Sequence, residues 1–314
     1  MTEYVLRRLL QTIPSVFIVV TIIFVLTRVV PGDPVGVLLG PFADQERVEE
    51  TRIRMGLHRP IIVQYIAWLF DAVRGDFGDS FFLGRPVSQA IREAFPVTFS
   101  LAGLSILLTV LLAVPLGIFS ALKRGRMSSN ASMLFSVLGI SIPDFWLGFL
   151  LIMLFAVQLN WLPTFGYKPL SEGFFPWLRY LTMPVITISL SQMALVSRMT
   201  RAGMLQVLDK EYVAMARAKG LPEWRVILVH ALRNAFVSIL TVIGLSFAIV
   251  LGGALIVETV FALPGMGRLV VAAATRRDFP VIQGVVVYLA LVYMLVNIGV
   301  DIAYAWINPR VRYE

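Results

Sequence analysis

The chain has no cysteine and only two histidines, His58 and His230, among its 314 residues. The absence of cysteine excludes disulfides, thiol catalysis and cysteine-ligated metals. The two histidines lie far apart in the sequence, and neither belongs to a zinc-ligand spacing or a His-Glu-x-x-His motif. We therefore expect no metal site in this chain and no catalytic site of these kinds.

Charged residues are also scarce. They make up 15% of the chain, hydrophobic residues make up 58%, and the mean hydropathy is +0.82. Ordinary soluble domains carry about 25% charged residues. Six long stretches are nearly free of charge, and each approaches or exceeds the roughly 20 residues that a membrane-spanning helix needs. They cover residues 9–27, 94–122, 127–167 (interrupted by Asp144), 180–197, 234–257 and 279–300. The sequence predicts an all-α membrane protein with six transmembrane helices.

Basic residues are unevenly distributed among the loops that six spans would separate. The chain ends and the loops at 123–126 and 198–233 hold 14 basic and five acidic residues, whereas the other loops hold 13 and 12. Cytoplasmic loops carry the excess of Lys and Arg, so both termini are predicted to be cytoplasmic. The net charge of +8 is thus a topology signal. Nucleic-acid binding is not expected.

These spans divide the chain into four predicted parts. Residues 1–31 form a cytoplasmic end and the first transmembrane helix, and residues 32–95 form an extracytoplasmic segment. Residues 96–308 form a five-helix transmembrane core, and residues 309–314 form a cytoplasmic tail.

The extracytoplasmic segment is predicted to contain two short helices. They cover residues 44–55 and 60–74, and they end at Gly56 and Gly75. Tyr65, Trp68 and Leu69 are predicted to form an apolar side of the second helix that suits the membrane interface. The segment either caps the outer ends of the helices or docks an external partner.

A polar stretch at 209–234 interrupts the apolar C-terminal half. Asp209 is a candidate N-cap, and Gly220 is a candidate left-handed residue after a first helix. Pro222 can open a second helix. Ala214 and Ala218 lie four residues apart and share a helix face, where small side chains would let the helix enter a groove of another protein. The alternative is a loop that only joins two membrane helices.

Two further places are candidates for a transport pathway. Asp144 follows Pro143 inside an apolar stretch, where a carboxylate is costly and usually faces the bundle interior or an aqueous cavity. Alternatively, Asp144 lies near the lipid headgroups or is a hydrogen-bonded acid in helix packing. The turn-forming residues at 258–268 could form a gate, or only a hairpin loop. The gate candidates are Glu258, Phe261, Pro264, Gly265 and Gly267.

The polar stretch contains a Tyr-Val-x-x-Ala-Arg-Ala-Lys-Gly-Leu run from Tyr212 to Leu221. It resembles the cytoplasmic coupling motif of ABC importer permeases, in the branch for dipeptides, oligopeptides and nickel. The general motif begins with a Glu six residues before the Gly, where this chain has Ala214. Pieces of the branch pattern occur in the same order along nearly the whole chain, including residues 31–34, 75–78, 141–146 and 258–268. The ordered set is similar to the first of the two permease subunits in such importers.

This resemblance implies an ABC importer type I permease fold in the bacterial inner membrane. It implies three kinds of partner beside the lipid bilayer: a homologous second permease, two ATP-binding cassette subunits and an extracytoplasmic binding protein. The chain lacks a Gly-x-x-x-x-Gly-Lys-[Ser/Thr] loop, so the partner ATPases are expected to bind ATP and Mg, and this chain is not expected to be an enzyme or to hold a cofactor. The implied ATPase-coupling residues are Glu211, Tyr212, Val213, Ala216, Arg217, Ala218, Lys219, Gly220 and Leu221.

Peptides are the expected cargo within this branch. Nickel is the first alternative, although two separated histidines offer few ligands for a transition metal. Glycans and opines are further alternatives. A self-sufficient secondary transporter is disfavoured, because the sequence has neither an internal repeat nor several coupling charges within its spans.

Overall fold

A computed structural model describes residues 2–29, 34–40, 43–125, 127, 139 and 141–307. Over these ranges the chain forms α-helices with short 3-10 and π-helical segments, and the strand-like pairing found there is one isolated bridge between Asp79 and Pro86. The helices are α1 (Thr2–Val29), α2 (Pro34–Leu39), α3 (Gln45–Arg54), α4 (Ile61–Val73), α5 (Val87–Leu122), α6 (Asp144–Leu151), α7 (Phe174–Leu208), α8 (Glu211–Ala218), α9 (Leu232–Val260), α10 (Met266–Arg276) and α11 (Phe279–Ile307).

Five helices among the described residues are long and apolar enough to cross a membrane. Their spanning segments are Arg7–Val29, Val87–Leu122, Phe174–Leu208, Glu223–Val260 and Phe279–Tyr304. The first part of the third predicted span falls mostly on residues 128–138 and 140, which lie outside the described residues. Its later part contains the apolar helix Asp144–Gln158. The count of six spans and the side of each terminus stay predictions, and the predicted tail at 309–314 also lies outside the described residues.

The two short helices of the segment after α1 end as predicted. Gly56 and Gly75 take the left-handed conformation, with φ of +67° and +80°. After α3, the amides of Gly56 and Leu57 donate to the carbonyls of Ile53 and Arg52. These two bonds satisfy carbonyls that a helix end leaves open, so the glycines fix where the helices stop.

The chain divides into two compact units, each described here by itself. The α4 unit contains Arg7–Val97 and Pro264–Met294. Its apolar core includes Val87, Met266 and Val285, which are fully buried. A Cβ built at Gly284 would lie 2.7 Å from Val87 Cγ1, so α5 and α11 approach closely at this glycine.

A buried carboxylate connects two segments of the α4 unit. Asp278, 2% exposed, accepts a hydrogen bond from Ser80 Oγ at 2.5 Å. The amides of Phe81 and Phe82 donate to the same carboxylate at 3.3 and 3.4 Å. A buried carboxylate is costly unless it is hydrogen-bonded, and these three donors satisfy it. The contact therefore ties the segment before α5 to the start of α11.

The α7 unit contains Met1–Leu6, Thr98–Leu263 and Leu295–Glu314. Its largest described core lies between α5, α7 and α9, and it includes Ala113, Met204 and Ala235, each at most 1% exposed. At Gly117 of α5, a built Cβ would lie 2.6 Å from both Ser197 O and Thr200 Cβ of α7. The two helices therefore pack through a position that only glycine fits, as small residues allow in membrane proteins.

Candidate functional site

The polar stretch at 209–234 begins at the end of α7. Asp209 was predicted to be the N-cap of the next helix, and this was wrong: it is the C-cap of α7, and Lys210 is the N-cap of α8. The Asp209 carboxylate lies 3.5 Å from the Arg124 guanidinium instead, because that cation follows the end of α5 nearby. Glu211 lies in the first turn of α8 as expected, where a helix dipole favours an anion.

The turn after α8 is fixed by its hydrogen bonds. Gly220 has a φ of +75°, which is the predicted left-handed conformation. Its amide donates to the carbonyl of Arg217 at 2.9 Å, and the amide of Leu221 donates to the carbonyl of Ala216 at 3.4 Å. This pair of bonds is the Schellman pattern, so the turn is a defined end of α8.

A second helical segment follows this turn at once, as the sequence predicted. Pro222 is its N-cap, and the carbonyl of Pro222 accepts bonds from the amides of Arg225 and Val226. The segment Glu223–Arg225 continues as the π-helix Val226–Ala231 and then as α9. An ion pair crosses the turn, with Arg217 Nη2 2.8 Å from Glu223 Oε1. The Glu223 carboxylate raises the pKa of Arg217 through this hydrogen bond.

One face of α8 is buried in the chain itself. Val213 and Ala216 are 0% and 6% exposed and pack with Val226. Tyr212 of α8 also forms a side-chain hydrogen bond with Asn234 of α9, and burial raises the pKa of the Tyr212 hydroxyl. Ala216, one of the implied coupling residues, therefore contacts the neighbouring helical segment of its own chain.

The opposite face of α8 is exposed. Ala214 and Ala218 lie there together, as the four-residue spacing predicted. The other implied coupling residues that are exposed are Glu211, Tyr212, Arg217, Lys219 and Gly220. An adjacent apolar surface, formed by Trp224, Leu228 and Val229, was not predicted; these side chains are 58%, 51% and 46% exposed. Leu228 lies four residues after Trp224, and this helical spacing beyond Pro222 could have indicated the surface.

At the predicted gate, Glu258 is completely buried at the end of α9. Thr98 Oγ1 donates to Glu258 Oε1 at 2.5 Å, and the carbonyl of Glu258 accepts the amide of Leu263 at 2.8 Å. Ala262 takes a left-handed φ of +51°, which is strained for a residue with a Cβ. The Phe261 carbonyl accepts the amide of Gly166 at 3.2 Å. The turn after α9 is thus fixed by hydrogen bonds of Glu258 and Phe261 to other residues of the α7 unit.

The remaining gate candidates belong to the α4 unit. Gly265 is the N-cap of α10 and Gly267 lies in its first turn, and both are buried. Pro264 is exposed. The expected irregular backbone is therefore short, since a regular helix begins at Met266.

Asp144 is the first residue of α6, directly after the N-cap Pro143. It is half-buried, and its carboxyl forms a side-chain hydrogen bond with Ser191 of α7. One turn later, a Cβ built at Gly148 would lie 3.2 Å from Phe261 Cε2. The α7 unit therefore places the helix of Asp144 against the turn that contains Phe261.

Sequence comparisons match both parts of the chain. The family described as binding-protein-dependent transport system inner membrane component matches residues 113–313. The N-terminal family of binding-protein-dependent transport system membrane components matches residues 1–102.

Individual proteins are similar over the full length of both chains. A probable peptide ABC transporter permease protein of Sinorhizobium fredii is 44% identical over 313 residues. A putative peptide transport system permease protein of Brucella abortus is 42% identical over 314 residues. The glutathione transport system permease protein GsiC of Escherichia coli K12 is 41% identical over 314 residues.

Among solved structures, a chain of the MetNI methionine ABC transporter in an inward-facing crystal form is similar, with a TM-score of 0.57 and 16% identity. The match covers 70% of this chain and 97% of that one. At this identity the likeness shows the fold alone.

Proposed function

Because the chain belongs to the family of binding-protein-dependent transport system inner membrane components, we propose that it is a peptide-importing permease subunit. With a homologous subunit it would form the pathway for peptides that a binding protein delivers. Relatives named for peptide and glutathione transport, 41–44% identical over the full chain, are the observation that carries this proposal. Glutathione is itself a tripeptide, which supports short peptides as the cargo.

ATP hydrolysis by two partner ATPases would drive this import. The exposed face of α8, with Ala214, Ala218 and Lys219, is the proposed docking surface. Small alanines let a helix lie deep in a groove of the partner. The neighbouring apolar surface of Trp224, Leu228 and Val229 would enlarge the contact, since exposed apolar patches favour association.

The buried face of α8 explains how a movement of the ATPase would reach the membrane helices. Val213 and Ala216 pack on Val226, and Tyr212 is hydrogen-bonded to Asn234 of α9. The Schellman turn at Gly220 keeps α8 at a fixed angle to the segment that leads into α9. A displacement of α8 would therefore be passed on to α7 and α9, and these helices would reopen the pathway on the other side.

The proposal also assigns Asp144 to the transport pathway. Asp144 is half-buried beside Ser191, so its carboxyl could reach a passage beside α6. A charge in a low-dielectric passage acts strongly on solutes. Asp144→Asn is expected to change transport kinetics while assembly with the second permease stays intact. Unchanged kinetics for every cargo would leave Asp144 a structural role.

Reconstitution tests the cargo. The chain, its homologous subunit, both ATPases and the binding protein are placed in proteoliposomes, and ATP-dependent uptake of a labelled dipeptide, of glutathione and of Ni²⁺ is measured in parallel. The proposal predicts saturable uptake of at least one peptide and none of Ni²⁺. Uptake of Ni²⁺ alone would favour the nickel branch, and uptake without the ATPases would favour a secondary transporter.

A further inference from the structure

Helix α4 exposes a continuous apolar stripe. Ile62, Ile66, Phe70 and Val73 are 72%, 51%, 62% and 82% exposed. Their spacing of four, four and three residues places them on one face of an α-helix. Four large apolar side chains on one stripe are unusual for a surface that meets water, and they indicate a contact that the chain alone does not supply.

Another face of α4 contacts α1. Tyr65 Oη lies 2.7 Å from Thr21 Oγ1 of α1, and the ring of Trp68 lies 5.6 Å from that of Phe24. Gln64, Trp68 and Asp71 line a cavity of about 530 Å³ that polar and apolar side chains share. Tyr65, Trp68 and Leu69 were expected to form an apolar side that suits the membrane interface. Tyr65 and Trp68 instead pack on α1, whereas Leu69 is partly buried against the apolar core of this unit.

The contact with α1 lies well inside a membrane span. The spanning segment Arg7–Val29 has 23 residues, which corresponds to about 35 Å of helix against a hydrocarbon core of about 30 Å. Thr21 is eight residues before Val29, so it lies about 12 Å along the axis from that end. The hydrogen bond between the Thr21 and Tyr65 hydroxyls therefore holds α4 beside a part of α1 that is expected to lie within the hydrocarbon core.

An apolar groove runs from α4 onto the membrane helices. It has a volume of about 360 Å³, and all ten of its lining residues are apolar. They include Val16 and Val20 of α1, Leu69 and Val73 of α4, and Val287 and Leu291 of α11. The surface of α1 beside it is apolar and exposed as well, with Phe17 and Ile22 50% and 52% exposed. The stripe and the groove thus continue the lipid-facing surface of a membrane helix.

We propose that α4 is a membrane-embedded interfacial helix whose stripe, Ile62, Ile66, Phe70 and Val73, contacts lipid acyl chains. One chain of a lipid would occupy the groove between α4, α1 and α11. Water would fill the cavity on the opposite side of the helix, where Arg28 Nε, Gln64 Oε1 and Trp68 Nε1 are buried without a hydrogen-bond partner among the described residues. The segment after α1 would then be partly a membrane element, whichever cargo the transporter carries.

The test uses the natural absence of cysteine. Single variants Phe70→Cys, Ile22→Cys and Ile53→Cys are spin-labelled in the complete transporter in lipid nanodiscs. Collision with oxygen, which is concentrated in hydrocarbon, is compared with collision with a water-soluble nickel complex. The three native side chains are similarly exposed, at 62%, 52% and 54%. Ile22 serves as the membrane reference, and Ile53, on the charged helix α3, serves as the aqueous reference.

The ratio of oxygen to nickel relaxation at residue 70 is expected to match that at residue 22 and to exceed that at residue 53. Ile66→Cys, one turn earlier on the stripe, should give the same result and guards against a local effect of the label. A ratio equal to that of residue 53 would mean that α4 lies in water. Protection from both reagents would mean that the partner permease covers the stripe. Either result would overturn the proposal.

Discussion

Residues with a left-handed φ end several of the described helices. Gly56, Gly75 and Gly220 follow α3, α4 and α8, and their positions could be predicted because glycine adopts this conformation without steric cost. Ala262 does the same after α9, with a φ of +51°. Alanine is a strong helix former, so nothing in the sequence identified it as the end of a helix.

Replacement of Gly220 should loosen the Schellman turn that ends α8. Nothing lies within 4 Å of a Cβ at this position, so the cost of Gly220→Ala is the left-handed backbone alone, about 1–2 kcal/mol. We expect amide hydrogen exchange in α8 to become about 5–30 times faster. Gly252→Ala is the control, because that glycine is helical and equally open. Equal exchange rates in both variants would show that the turn does not hold α8.

The hydrogen bond from Thr98 to Glu258 should stabilise the α7 unit. Thr98→Val keeps the shape of the side chain but removes the donor to a fully buried carboxyl. A loss of about 1–3 kcal/mol is expected, and it would appear as a lower Tm of the purified protein. Thr98→Ser retains the hydroxyl and should keep most of the stability. If both variants melt alike, the bond contributes little.

At the scale of helices, α5 and α7 are held together through Gly117. A built Cβ there would lie 2.6 Å from the backbone oxygen of Ser197, which cannot move without α7. Gly117→Ala should therefore cost about 1–3 kcal/mol through overpacking. Gly103→Ala, on the same helix, meets nothing within 4 Å and should be tolerated. Thermal unfolding of the two variants in the same detergent is the measurement, and similar Tm values would contradict the close approach.

The sequence predicted the helices better than their contacts. The ends of α3 and α4 and the turn at Gly220 could be predicted because glycine and the local hydrogen bonds specify them. The burial of Ala216 could not be predicted, because it depends on a contact with Val226, which lies beyond the turn at Gly220. The faces of α4 were misassigned for a similar reason. Tyr65 and Trp68 suit a membrane interface by composition, but Thr21 and Phe24 of α1 hold them.

For the whole molecule, the charge distribution predicts the orientation in the membrane. Lys219 and both termini should be cytoplasmic and Asp44 external, because the loops assigned to the cytoplasm hold 14 basic against five acidic residues. Both side chains are exposed, so Lys219→Cys and Asp44→Cys can react with a thiol reagent that does not cross the membrane. In intact spheroplasts only residue 44 should be labelled. Labelling of residue 219 from outside would reverse the topology.

At this scale α8 has one buried face and one exposed face. Val213 and Ala216 fix it to the chain, whereas Ala214 and Ala218 are exposed. A substitution on the exposed face should therefore disturb the ATPase contact without disturbing the fold. This separation makes the proposed coupling role testable by a single side chain.

The most direct measurement is the amount of ATPase that co-purifies with Ala218→Trp. The indole should keep α8 out of the ATPase groove, so ATPase retention and substrate-stimulated hydrolysis should fall while the homologous permease stays bound. Ala272→Trp makes the same change at an exposed alanine of α10 and should retain the ATPase fully. If Ala218→Trp also retains full ATPase binding and transport, α8 is only a connecting helix and the proposed coupling is wrong.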